Sequence, residues 1–96
     1  MPTSSAGLRR DGHALVFTGA LLRDDVAALW RQVPKALADV RRLDVRAVGR
    51  IDSAGLALLA ELAARAGGEV AIDGAPEGLA ELRGAYRLSP ALGFAA

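Results

Sequence analysis

Asp52-Ser53-Ala54-Gly55-Leu56-Ala57-Leu58-Leu59-Ala60-Glu61-Leu62-Ala63-Ala64-Arg65-Ala66-Gly67-Gly68 is the stretch whose reading decides the fold of this 96-residue chain. It predicts one helix. The first amides of a helix lack intrahelical partners, and Asp52 or Ser53 can supply the oxygen they need. Gly67-Gly68 marks the stop. At roughly 100° per residue, Leu56, Leu58, Leu59, Leu62, Ala63 and Ala66 share one broad half of the helix, which must face a core. The other half carries Ser53, Ala57, Ala60 and Ala64, with Glu61 and Arg65 beside them. This outer stripe supports two readings. Alanine is the best helix former and is abundant throughout the chain. A run of small side chains also lets a partner's backbone approach closely with little loss of rotamer entropy. The helix start is similarly double: its aspartate and serine are a simple cap, or they present a partly positive helix end to a partner. Leu56 stands where a capping box would need Glu or Gln.

Working outward, Val40, Leu43 and Val45 mark a strand interrupted by Arg41, Arg42 and Arg46, and Ala47-Val48-Gly49-Arg50-Ile51 reads as the connection into the helix. After the helix, Glu69-Val70-Ala71-Ile72-Asp73 alternates as a strand, Gly74 turns the chain, and Pro76 opens a last helix with Leu79, Leu82 and Tyr86 on one side. Toward the N-terminus, Leu8-Arg9-Arg10 and Ala14-Leu15-Val16-Phe17-Thr18 flank Asp11-Gly12 as a hairpin, which Gly19 closes. Asp24 and Asp25 supply an N-cap and first-turn charge for a helix through Val26, Leu29, Trp30 and Val33. Pro34 then kinks that helix or restarts it, with Ala36, Leu37 and Val40 continuing the apolar pattern. Trp30 and Phe94 are either core fillers or interface anchors. The order β-β-α-β-α-β-α predicts a single α/β domain over residues 1–96, a mixed four- to five-stranded sheet with helices packed against it, and residues 1–6 as a flexible N-terminal tail.

Composition narrows the function classes. Twelve basic residues against eleven acidic give a net charge of +1, which offers no general attraction to nucleic acid. There is no cysteine for a disulfide or thiolate metal site, and the single His13 cannot build a multi-histidine one. Asp44 and Asp52 come without a phosphate-cradling glycine motif. Asp52 and Ser53 lack a general base other than His13, in or near a hairpin turn, so the residues point away from an enzyme and away from a metal or other cofactor. Arg9, Arg10, Arg41, Arg42, Arg46 and Arg50 are either solvated edge residues or a basic rim. No apolar run approaches the roughly 20 residues of a membrane span, and the start lacks a signal-peptide layout, which points to a cytoplasmic protein.

Arg50-Ile51-Asp52-Ser53-Ala54-Gly55-Leu56-Ala57-Leu58-Leu59, following the aspartate-bearing Leu43-Asp44-Val45, resembles the signature of STAS domains. Within that family it is most similar to the MlaB branch, and Leu79-Ala80-Glu81-Leu82-Arg83-Gly84-Ala85-Tyr86-Arg87-Leu88 resembles that branch's closing helix. The resemblance implies a STAS fold and a non-catalytic subunit. Such a subunit binds and stabilises or regulates an MlaF-like ATPase, in complex with an MlaE-like permease and an MlaD-like lipid-binding subunit. That complex is an ABC-type intermembrane phospholipid transporter maintaining outer-membrane lipid asymmetry, so the membrane would be met only through the assembly. It also implies a partner-binding site at Asp52, Ser53, Ala54, Gly55, Ala57, Ala60 and Ala64. Other STAS relatives are anti-sigma factor antagonists switched by phosphorylation of the serine corresponding to Ser53. They usually carry a second Ser or Thr where Ala54 stands and often Gly where Ala57 stands, so the sequence leans away from them.

Overall fold

A computed structural model describes residues 6–67 and 70–86. Their order is β1 (Gly7–Asp11), β2 (Ala14–Leu21), α1 (Arg23–Gln32), β3 (Arg42–Ile51), α2 (Ser53–Arg65), β4 (Ala71–Asp73) and α3 (Leu79–Tyr86). The four strands form one sheet in the order β1-β2-β3-β4, with β1 antiparallel to β2 and both β2–β3 and β3–β4 parallel. This is the mixed sheet and element order that the hydrophobic periodicities require. Residues 1–5, Gly68, Glu69 and the segment from Arg87 onward, including Phe94, lie outside the described residues, as does the side chain of Tyr86.

The core lies between the sheet and the helices. Leu15 and Phe17 of β2 and Leu43 and Val45 of β3 alternate onto it, and Leu58, Leu59 and Leu62 meet them from α2. Each such leucine, buried on folding, contributes about 1.5–3 kcal/mol against the entropy of ordering its segment. Leu29 of α1 and Leu79 of α3 complete the same cluster. Trp30 is half-buried against it, and the Arg65 guanidinium sits over its ring at 4.9 Å from the centroid.

Four boundaries differ from the sequence reading. First, α1 ends at Gln32, and Val33–Arg41 is neither a kinked nor a restarted helix. Pro34 removes one backbone donor and disfavours helical geometry at Val33, whose φ/ψ of −67°/127° is extended. Leu37 and Val40 are nevertheless buried, so their helix-like spacing reports a loop folded over the core edge. Arg10 fastens that loop, donating from Nη1 to the Ala36 carbonyl at 3.1 Å and pairing with Asp39. His13 Nδ1 lies 3.0 Å from the Asp39 carbonyl, which can only accept.

Second, Ala47–Ile51 is the second half of β3, not a connection: Ala47 pairs with Thr18, Val48 with Gly19 and Ile51 with Leu21. Third, Gly19 does not close β2 but sits within it at φ 78°, where register shifts against β3 mark an irregularity that only glycine accommodates cheaply. Fourth, the residue capping α1 is Leu22, with neither Asp24 nor Asp25 in that place. Asp25 stands three positions on and accepts from the Leu22 amide at 3.4 Å.

The sheet face away from the helices is charged and internally paired. Arg9, Val16, Asp44 and Asp73 lie in register across the four strands. Arg42 donates to both Asp73 oxygens at 2.7 and 2.8 Å, Arg46 donates to both Asp44 oxygens at 3.0 and 2.8 Å, and Arg9 pairs with Asp11 at 3.8 Å. Arg41 donates to the Ala38 and Val40 carbonyls. Arg9, Arg10, Arg42 and Arg46 are therefore neutralised by carboxylates within the domain, while Arg41 meets only carbonyls and Arg50 has no carboxylate partner among the described residues. Hydrogen bonds from the Arg46 side chain and amide push the Asp44 carboxyl down to about 2, so this pairing holds through any physiological pH.

Candidate functional site: the exposed start and outer face of α2

The parallel strands β2 and β3 end side by side at Leu21 and Ile51, and α1 and α2 both begin there. Asp52 ties the two helix starts together. One carboxylate oxygen accepts the Gly55 amide at 2.9 Å, capping α2, and the other accepts the Arg23 amide at 2.9 Å, at the first residue of α1. Its own amide donates to the Leu21 carbonyl at 3.2 Å. Burial raises the Asp52 pKa, but the amides of Gly55, Arg23 and Ala54 favour the charged form more, and the net direction is down.

Gly55 explains how the helix comes so close. A Cβ built there would overlap the Leu21 carbonyl oxygen and lie 2.9 Å from Ile51 Cγ1. Of the seven residues singled out from the sequence, Gly55 is thus buried against the strand end and Asp52 is half-buried holding amides. Both hold the start of α2 in place. Ala54 is half-buried, and Ala60 is half-buried against the core on the α2 flank. Ser53, Ala57 and Ala64 are exposed, with Glu61 and Arg65 beside them joined by an i,i+4 ion pair at 2.9 Å. The accessible stripe is therefore Ser53, Ala57 and Ala64, running about 16 Å along the axis.

The family model described as an MlaB-type STAS domain matches residues 6–92. The chain belongs to the STAS-domain family. The match spans all the described elements, α2 included. No curated protein matches the chain. Among the described residues no helix is long and apolar enough to cross a membrane, and no group of three or more His, Cys, Asp or Glu side chains is placed to hold a metal ion.

The geometry also bears on nucleophilic chemistry at Ser53. His13 precedes the start of β2 beside Arg42, whereas Ser53 follows the end of β3. The ten residues of β3 separate them by roughly 30 Å, far beyond proton-transfer distance. Asp44, on the opposite sheet face with Arg46, does not join Asp52 in a shared acidic site.

Removing the Asp52 carboxylate should loosen both helix starts. Asp52→Ala is expected to cost about 2 kcal/mol at neutral pH, one lost cap plus one orphaned amide at Arg23. Urea unfolding checks it. The depressed pKa sets the sign of the pH dependence: the wild-type contribution is present above the ordinary value of 3.8 and is lost as pH falls through the lower folded-state value. The stability gap between wild type and variant should therefore narrow below about pH 4. A gap unchanged at pH 3 would mean the carboxylate charge is not what holds the two amides.

Proposed function

We propose that this STAS domain is a non-catalytic subunit that binds and stabilises or regulates the ATPase of an ABC-type phospholipid transport complex, docking through the exposed face of α2. The observation that carries this reading is the stripe Ser53, Ala57 and Ala64. It is accessible, nearly free of long side chains, and set on a helix whose start is fixed by Asp52 and whose approach is fixed by Gly55. A rigid, small-residue helix face loses little entropy on docking and allows close backbone approach. The match to an MlaB-type domain supports the class of partner. In this reading the domain lies on the cytoplasmic side, peripheral to the inner membrane, and meets lipid only through the permease and lipid-binding subunits of the complex.

Affinity purification of the tagged chain from its native cells is the test. An ATPase and a permease recovered in stoichiometric yield support the reading. Recovery of a serine kinase of the anti-sigma type in their place would instead assign Ser53 to a phosphorylation switch. The exposed hydroxyl permits a simple companion measurement. Ser53→Asp places negative charge at a helix N-terminus, which tolerates it, so its circular dichroism and unfolding midpoint should stay close to wild type.

A further inference from the structure

Near the other end of α2, away from Ser53, Trp30, Val33, Pro34, Lys35, Leu37 and Arg65 line an open groove of about 530 Å³. Its floor is formed by Trp30, Val33 and Pro34, where α1 gives way to the Val33–Arg41 loop, and its lining mixes polar and apolar surface. Its wall is the Arg65 guanidinium, held over the indole of Trp30 and bonded to Glu61 at 2.9 Å. Arg10 fastens the loop through the Ala36 carbonyl and Asp39. Both charged lining residues are cations, and Lys35 is exposed, with no hydrogen bond or ion pair among the described residues. By contrast, Arg9, Arg10, Arg42 and Arg46 all have carboxylate partners within the domain.

From this juxtaposition we infer that the groove is a second docking site, for an acidic peptide segment that inserts an apolar side chain against Trp30 and Pro34 and places a carboxylate on Lys35. The half-buried Trp30, Val33 and Pro34 supply the anchor for an apolar side chain, and the unneutralised ammonium supplies the charge preference. The site does not depend on the ATPase assignment: only its Arg65 wall borders the Ser53 stripe, next to Ala64, while Trp30 and Lys35 come from α1 and the loop that follows it.

Trp30 is the only tryptophan, which makes intrinsic fluorescence a specific reporter of the groove. The experiment pans a random 12-residue displayed peptide library on the folded domain. Selected peptides are then titrated against wild type and Lys35→Glu, with anionic phosphatidylglycerol vesicles as a parallel arm. Enriched peptides should combine Asp or Glu with an aromatic or large aliphatic residue and shift the Trp30 emission. Lys35→Glu should bind them about tenfold more weakly, and raised salt should shrink that difference. Lack of enrichment, enrichment without acidic residues, or equal affinity for Lys35→Glu would overturn the inference. So would a Trp30 response to the vesicles alone, which would make the groove a membrane contact. Because the readout uses no ATPase, failure here leaves the α2 docking reading standing, and the converse also holds.

Discussion

Ala57→Arg is expected to abolish co-purification with the ATPase while leaving the domain folded. Ala57 is exposed near the middle of the stripe, so the new side chain meets solvent in the free domain and costs only a few tenths of a kcal/mol in helix propensity. In the complex the same side chain must be desolvated at a close-packed contact or must push the partner away. Either penalty reaches about 4 kcal/mol, on the order of a thousandfold in affinity. Ala64→Arg, one exposed position further along, should act in the same direction. Ala60→Arg is a poorer probe than its place on the helical wheel implies, because Ala60 packs partly against the core and its replacement would mix unfolding with lost docking. The matched control is Ala71→Arg, exposed on the edge strand β4 and in register with Arg42 on the sheet face away from α2. Retention of wild-type binding by both Ala57→Arg and Ala64→Arg, measured by co-purification and by the ATPase activity of the complex, would remove the outer face of α2 as the interface.

The second large effect concerns stability. Gly55→Ala, a favourable change on propensity alone, should destabilise the domain by about 3 kcal/mol. The nearest atom to the added methyl is backbone, not the end of a flexible side chain. The methyl meets the backbone carbonyl of Leu21, which is already fixed by accepting the Asp52 amide at 3.2 Å. Relief requires α2 to retreat from the ends of β2 and β3, which also strains the bonds from Asp52 to Gly55 and Arg23. For a domain of this size the midpoint of thermal unfolding should fall by on the order of 15 °C. Gly84→Ala is the counterpart. Among the described residues nothing lies within 4 Å of a Cβ built at Gly84, so there the propensity gain should appear. Equal effects at the two glycines would show that close approach at Gly55 does not limit the packing.

The two predictions together separate contact from positioning at one end of the fold. Arginine at Ala57 tests what a partner touches. A methyl at Gly55 tests what holds that surface in place. The residues that resemble the STAS signature thus divide by physical role, with Ser53 presented outward and Asp52 and Gly55 turned toward Leu21, Ile51 and Arg23.

Local pattern by itself determined the order of elements, the boundaries of α2, the mixed α/β class and the outward stripe apart from Ala60, because each follows from periodicity, capping residues and glycine stops within a dozen residues. The STAS resemblance came from the same short run. The tertiary structure decided what depends on distant partners. Ala47–Ile51 is strand because β2 lies beside it, although Gly49 and Arg50 weaken its local signal. Leu37 and Val40 carry helical spacing but are buried from a loop, because Pro34 stops α1 and Arg10, from another strand, pins the turn that follows. Arg10 and Arg42 look like part of a basic patch along the chain and are paired in space, because folding brings Asp39 from the loop and Asp73 from the neighbouring strand against them. Asp52 looks like an ordinary cap, and only the parallel pairing of β2 with β3 sets the start of α1 against its second oxygen. In each case the local signal reports what a residue can do, and the decisive free-energy difference comes from a group far away in sequence that only folding brings within reach.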